Sequence, residues 1–433
     1  MIAQIIFTVA FLSAAVFFAI QIKKIIRNIN IGKDINRSDR PAERWAVMAK
    51  VAMGQSKMVV RPVAGIMHLF VYVGFIIINL EVLEIIIDGI FGTHRIFSFL
   101  GGFYSFLIAS FEILALLVLV GVLVFLARRL VFGLKRFSGI EMTAWPKSDA
   151  IYILIIEVLL MSAFLTMNAA DYKLQMLNFD HYVKAGAFPV SQFLVNLLPN
   201  TTSALVLIER GCWWFHILGI FAFLNYLPFS KHFHIILAFP NTWYSNLNAK
   251  GRFSNMESVT NEVKAMLDPS FTPPVAEEIS RFGAKDVQDL NWVQLMNAYT
   301  CTECGRCTSV CPANQTGKLL SPRKIMMDTR DRLEEVGKNI DQHGKGYDDG
   351  KTLLDDFISR EEIWACTTCN ACTEACPINI DPLSIIVDLR RYAVMEESNV
   401  AGSLNAMFSN IENNGAPWKY SPADRLNWAK GED

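Results

Sequence analysis

The chain has 433 residues, 52% of them hydrophobic and 19% charged, with a mean hydropathy of +0.30. A soluble domain carries about 25% charge, so the composition excludes a disordered tail, a secreted disulfide scaffold and a purely soluble enzyme. The net charge of −1 hides a division. Residues 1–240 hold 20 Lys+Arg against 13 Asp+Glu, and residues 241–433 hold 20 against 28. Eight of the nine cysteines lie between Cys301 and Cys376, while Cys212 stands alone in an apolar stretch as a small buried residue. The pattern predicts a membrane module joined to an acidic, cysteine-bearing domain.

Five runs are long enough to cross a ~30 Å hydrocarbon core as helices: 2–20, 62–87, 104–127, 150–168 and 204–239. The first lacks a basic leader and a small-residue cleavage site and is followed by Lys23, Lys24 and Arg27, so it is expected to be a retained helix. The last is overlong and contains Pro228, which predicts a kink. Alternate connections carry sixteen and four basic residues. This bias puts the N-terminus outside and residues 241–433 in the cytoplasm, the compartment in which free thiols persist.

Histidines inside such helices are costly and tend to be hydrogen-bonded or ligands. His68 lies seven residues past Arg61, and His234 six before Pro240, which predicts similar depths. Two facing imidazoles are what a b-type haem requires. His216 precedes His234 by 18 residues, five turns of a continuous helix, so the two are expected on one face. Glu81, Glu84, Glu112 and Glu157 also fall in the spans. The expectation is that the first two reach the outer interface and the others pair within the bundle, with a proton path or quinone contact as the alternative. Trp213 and Trp214 are read as an interfacial belt.

The fifth span, with Trp214-Phe215-His216, Leu227-Pro228-Phe229-Ser230-Lys231-His232-Phe233-His234 and Ala238-Phe239-Pro240, resembles the nitrate reductase gamma subunit family, which includes membrane cytochromes of heterodisulfide reductases. The resemblance implies haem b ligation by His68, His234 and His216. Its two-haem members carry a further His where this chain has Ile78, so one haem on His68 and His234 is implied and His216 is left unpartnered. A second haem is the alternative, and His232 is the substitute ligand.

The cysteines form two copies of one run, Cys301-x2-Cys304-x2-Cys307-x3-Cys311-Pro312 and Cys366-x2-Cys369-x2-Cys372-x3-Cys376-Pro377. In this ferredoxin pattern three cysteines wrap one [4Fe–4S] cube and the fourth serves the other. The expected sets are Cys301, Cys304, Cys307 with Cys376, and Cys366, Cys369, Cys372 with Cys311. Zinc ribbons need neither the third and fourth cysteines nor the Cys-Pro. The runs start 65 residues apart, with helical spacing predicted over 322–336, 353–364 and 382–397. That describes an α-helical ferredoxin domain. Thr300–Cys307, Cys311-Pro312-Ala313 and Gly317-Lys318 resemble the heterodisulfide reductase C subunit and the iron–sulfur part of anaerobic glycerol-3-phosphate dehydrogenase. Arg306 and Lys318 are basic residues that could raise a cluster potential.

The expected fold is mainly α: a five-helix transmembrane cytochrome b bundle (1–240), a linker (241–290), a cytoplasmic 2[4Fe–4S] domain (291–400) and a tail (401–433). The tail's Asn414-Gly415-Ala416-Pro417-Trp418, Arg425 and Trp428 resemble the lead-in to a CCG domain. This implies a separate cytoplasmic CCG-domain or flavoprotein subunit docking on the acidic half. No nucleophile–base pair, phosphate loop or nucleic-acid signature stands out. The expected function is a membrane electron-transfer subunit, in a bacterial inner membrane, linking that partner to the quinone pool, menaquinone by resemblance. The alternative is a haem-free membrane ferredoxin acting in oxidase assembly, metal reduction or redox sensing.

Overall fold

The computed structural model describes residues 1–274, 281–429 and 431; parts of the expected linker (275–280) and tail (430, 432 and 433) lie outside the described residues. The described residues are helical, with no strand beyond isolated bridges. In the membrane half, α1 (Ile2–Ile29), α2 (Pro41–Met48), α3 (Pro62–Phe91), α4 (Gly102–Leu130), α5 (Trp145–Met176), α6 (Thr202–Tyr226) and α7 (His234–Trp243) follow in order. In the second half come α8 (Glu257–Leu267), α9 (Trp292–Thr300), α10 (Arg306–Val310), α11 (Pro312–Gln315), α12 (Pro322–His343), α13 (Arg360–Ala365), α14 (Ala371–Ala375), α15 (Pro382–Met395) and α16 (Gly402–Asn414).

Five of these, α1, α3, α4, α5 and α6, are long and apolar enough to cross a membrane. Pro62 starts α3 where its missing N–H costs nothing. Gly92 ends it at φ +71°, its N–H donating to Asp88 O at 2.7 Å. Small residues let the helices approach: a Cβ on Gly74 would strike Val118 of α4, one on Gly89 would strike Phe7 of α1, and one on Gly219 would strike Leu160 of α5. Phe7 and Trp213 pack 5.5 Å apart in the bundle, so Trp213 is buried core rather than interfacial belt.

Two expected helices are interrupted. The fifth span ends at Tyr226, passes through tight turns at Leu227–Phe229 and Lys231–Phe233, and restarts as α7. Pro228 cannot donate in a helical ladder, so the kink becomes a break and the five-turn register between His216 and His234 is lost. The helix expected over 353–364 is also divided. Leu354 and Asp355 (φ +82°) are non-helical, and α13 begins only after Ser359, whose hydroxyl and Glu362 form a capping box.

One hydrophobic cluster spans both halves. Ile25 and Ile29 of α1, with Leu227, Phe233 and Ala238, pack with Leu295, Ile325, Leu333 and Ile385 of the second half. Ala284, Val287 and Leu290, in the stretch expected as linker, are buried there too. The backbone joins as well: Lys33 N–H donates to Leu290 O at 2.8 Å, and Trp292 N–H to Lys33 O at 3.1 Å.

Arg44, 1% exposed, donates to Asp39 O, Trp243 O and Ser245 O at 2.7–3.1 Å. Removing a buried donor that leaves carbonyls unsatisfied costs about 1–3 kcal/mol. Arg44→Ala is therefore expected to lower the thermal midpoint in detergent clearly, while Lys24→Ala, from the half-exposed pair with Asp341, leaves it unchanged within error.

Candidate electron-transfer site

Each cysteine run is built on the same backbone. Cys301 and Cys366 close α9 and α13, while Cys307 and Cys372 sit on the short helices α10 and α14, which pack together. Left-handed residues recur at matching positions, Glu303 (φ +53°) with Thr368 (φ +57°) and Gly305 (φ +69°) with Asn370 (φ +60°). Alternating hand turns successive N–H groups toward one centre, which suits an anionic group. Thr368 N–H donates to Cys366 Sγ at 3.4 Å, and Ile380 N–H to Cys376 Sγ at 3.3 Å.

The thiols come together across the runs. A cavity is rimmed by Cys301, Cys304, Cys307 and Cys376, with Cys372 also in its wall. Cys366 lies in the field of Cys311 and Cys369. Cys376 of the second run thus lines one cavity with the first three cysteines of the first run, and Cys311 lies near Cys366. Burial pushes the Cys301, Cys372 and Cys376 thiols up to about 12, because removing a thiolate from water disfavours its charge. Among the described residues, no three His, Cys, Asp or Glu side chains converge to hold a single metal ion.

Charged side chains seat this cavity on the spans. Glu303, between Cys301 and Cys304, pairs with Lys231 and, at 2.8 Å, with Arg330. Burial raises its carboxyl, but these two cations outweigh that and hold it below the ordinary range. Arg306 donates to Lys57 O at 2.9 Å and Met58 O at 3.3 Å, and Arg61 to Ser309 Oγ at 2.8 Å. Arg323, 1% exposed, binds Glu141 at 2.7 Å. Lys318, by contrast, is exposed.

His68, His232 and His234 gather at this same end. The rings of His68 (α3) and His234 (α7) have centroids 6.4 Å apart with planes at 42°. His234 Nδ1–H donates to Lys231 O at 3.0 Å, while His68 Nδ1 is buried with no hydrogen-bond partner. His232 lies 5.6 Å from His234, its Nε2 3.9 Å from Glu157. His216 stands apart: its Nδ1–H donates to Leu160 O at 3.0 Å and its ring packs on Phe164. The break after Tyr226 removes the expected shared face with His234.

The span carboxylates correct another expectation. Glu81 and Glu84 are 3% and 4% exposed, so neither reaches an interface. Glu112 does pair inside, accepting from Asn168 Nδ2, Val190 N–H and Ser191 N–H. Sequence reasoning missed the buried roles of Arg95 and Lys231, which it counted as loop cations.

Residues 300–380 match the family described as a 4Fe-4S dicluster domain. The probable iron-sulfur-binding oxidoreductase FadF of Bacillus subtilis is 28% identical, the match covering 96% of this chain and 59% of that protein. The EtfAB:quinone oxidoreductase of Syntrophomonas wolfei is 27% identical over 91% of this chain and 55% of its own length. A probable membrane-anchored ferredoxin of Chromohalobacter salexigens is 33% identical over 35% of this chain and 24% of its own. Heterodisulfide reductase C-type proteins also match. The chain spans a little over half the length of the first two relatives. No solved structure matches. With the eight cysteines, these similarities support iron–sulfur binding in the second half, which is similar to heterodisulfide reductase C-type proteins.

Gly305 offers a direct check on the loop. A Cβ there would lie 2.6 Å from Arg323 Nη1 and 2.9 Å from Arg136 O. Gly305→Ala is expected to lower iron and acid-labile sulfide per chain. Gly317→Ala (φ +83°, open space) carries only the roughly 1–2 kcal/mol of left-handed strain and is expected to keep both.

Proposed function

We propose that the chain is the membrane electron-transfer part of a quinone-linked oxidoreductase, passing electrons between a partner oxidoreductase and the membrane quinone pool. The partner is a CCG-domain or flavoprotein subunit on the cytoplasmic side of a bacterial inner membrane, with the N-terminus outside. One [4Fe–4S] cluster is held by Cys301, Cys304, Cys307 and Cys376, the other by Cys366, Cys369, Cys372 and Cys311. Haem b is held by His68 and His234, as the nitrate reductase gamma resemblance implies. When bound, these groups supply one-electron chemistry.

The observation that carries this reading is the 6.4 Å separation of the His68 and His234 rings. Imidazoles each about 2.0–2.1 Å from one metal ion have ring centres roughly 6 Å apart. The unpartnered Nδ1 of His68 agrees with a ring whose partner is not protein. The Lys231 carbonyl fixes the protonated nitrogen of His234, as the second layer of a ligand set does. The same residue's ammonium holds Glu303 in the cysteine loop. Lys231 thus ties a histidine of α7 to a cysteine cavity. The relative named EtfAB:quinone oxidoreductase supports the quinone end. His216 and His232 are the residues left for a second haem.

A second reading is favoured by the membrane-anchored ferredoxin relative: a haem-free membrane ferredoxin acting in metal reduction, oxidase assembly or redox sensing. A reduced-minus-oxidised spectrum of the purified protein separates the two. A b-type α-band that disappears in His68→Ala, with the iron–sulfur signals intact, is the expected result. Absence of any α-band in the unaltered protein transfers the case to the second reading. Electron paramagnetic resonance tests the cysteine sets: Cys376→Ala should erase the signal that Cys304→Ala erases, and Cys311→Ala the one lost in Cys369→Ala. Loss paired within each run instead would refute the crossed assignment.

A further inference from the structure

At the end of the bundle far from the cysteines, a second cavity is walled by α3, α5, α6 and the connection after α3. Glu81, Glu84 and Asp88 stand at i, i+3 and i+7 on one face of α3, a ladder about 10 Å long at 1.5 Å per residue. Most charges here are satisfied. Arg95 pairs with Asp171 at 2.6 Å, and Arg210 pairs with Glu209. Asp88 accepts the N–H groups of Arg95 and Ile96, and Glu84 those of Phe97 and the Tyr104 hydroxyl, at 2.7–3.2 Å. Glu112 of α4 has its own donors.

Glu81 is the exception. It is the deepest of the ladder, ten residues from the end of α3, and its Oε2 is buried without a partner. An unpaired buried carboxylate beside two held ones is costly, and binding a proton removes that cost. A metal ion is a poorer occupant, since no three donors converge on one point among the described residues. A route of exchangeable groups leads inward. Exposed His181 lies 5.4 Å, ring to ring, from His94. The His94 Nδ1 is buried without a partner, and its Nε2 is 3.7 Å from Asp171.

We propose that this cavity is a proton-exchange site serving the membrane face away from the iron–sulfur half, with Glu81 as the proton-carrying residue and His94 at its entrance. The proposal goes beyond electron transfer and does not depend on it. The test is infrared spectroscopy of the full-length protein in detergent, following the stretch of protonated carboxyl groups during transfer from H₂O to D₂O. The unaltered protein should show a band that shifts on deuteration, is missing in Glu81→Gln, returns displaced in Glu81→Asp and persists in Glu84→Gln. His94→Phe should slow its deuteration at least tenfold. Survival of the band in Glu81→Gln, failure to deuterate, an unchanged rate in His94→Phe, or loss on adding Na⁺ or K⁺ at fixed pH would each overturn the assignment. Because no electron donor is used, failure of the electron-transfer reading leaves this readout intact.

Discussion

The geometry at the cysteine cavity depends on a few charges buried between the halves. Arg323 with Glu141 and Lys231 with Glu303 both lie in the junction. Burying such pairs adds little net stability, but losing one partner strands the other in a low dielectric. The pairs therefore act as registration. They allow one placement of the cysteine loop on the span ends and penalise others. The backbone carbonyls of Lys57 and Met58, held by Arg306, complete that seat.

The two cysteine loops repeat each other in backbone but differ in surroundings. The Glu303 loop is buried against the spans, whereas Cys369, in the second loop, is exposed. Under the proposed function, this asymmetry gives the domain a receiving side and a delivering side. Lys231 links the two, because it holds the inner loop with its ammonium and His234 with its carbonyl.

Much of this was legible in the sequence because it rests on short-range rules. Apolar runs of about 20 residues mark spans, and the pattern of the two cysteine runs predicts that their fourth members cross. The structure agrees on all five span-forming helices, and Cys376 lines the same cavity as the first run. What was not legible depends on tertiary partners. Glu81 and Glu84 looked interfacial because their distance along α3 was visible, while Arg95 and Tyr104, arriving from elsewhere in the chain, were not. The His216–His234 register failed because it assumed one continuous helix, and Pro228 announced a disturbance without stating its size. Lys231 and Arg95 were counted by charge, which records orientation but not burial.

The shared core carries a consequence for motion. Ile25 and Ile29, at the end of a membrane-crossing helix, are packed among the residues that support the cysteine loops. The iron–sulfur half is therefore built into the end of the bundle rather than hung from it, and that packing sets the spacing from its loops to His68 and His234. Thicker solvent would delay a partner's arrival and leave the interior distances as they were.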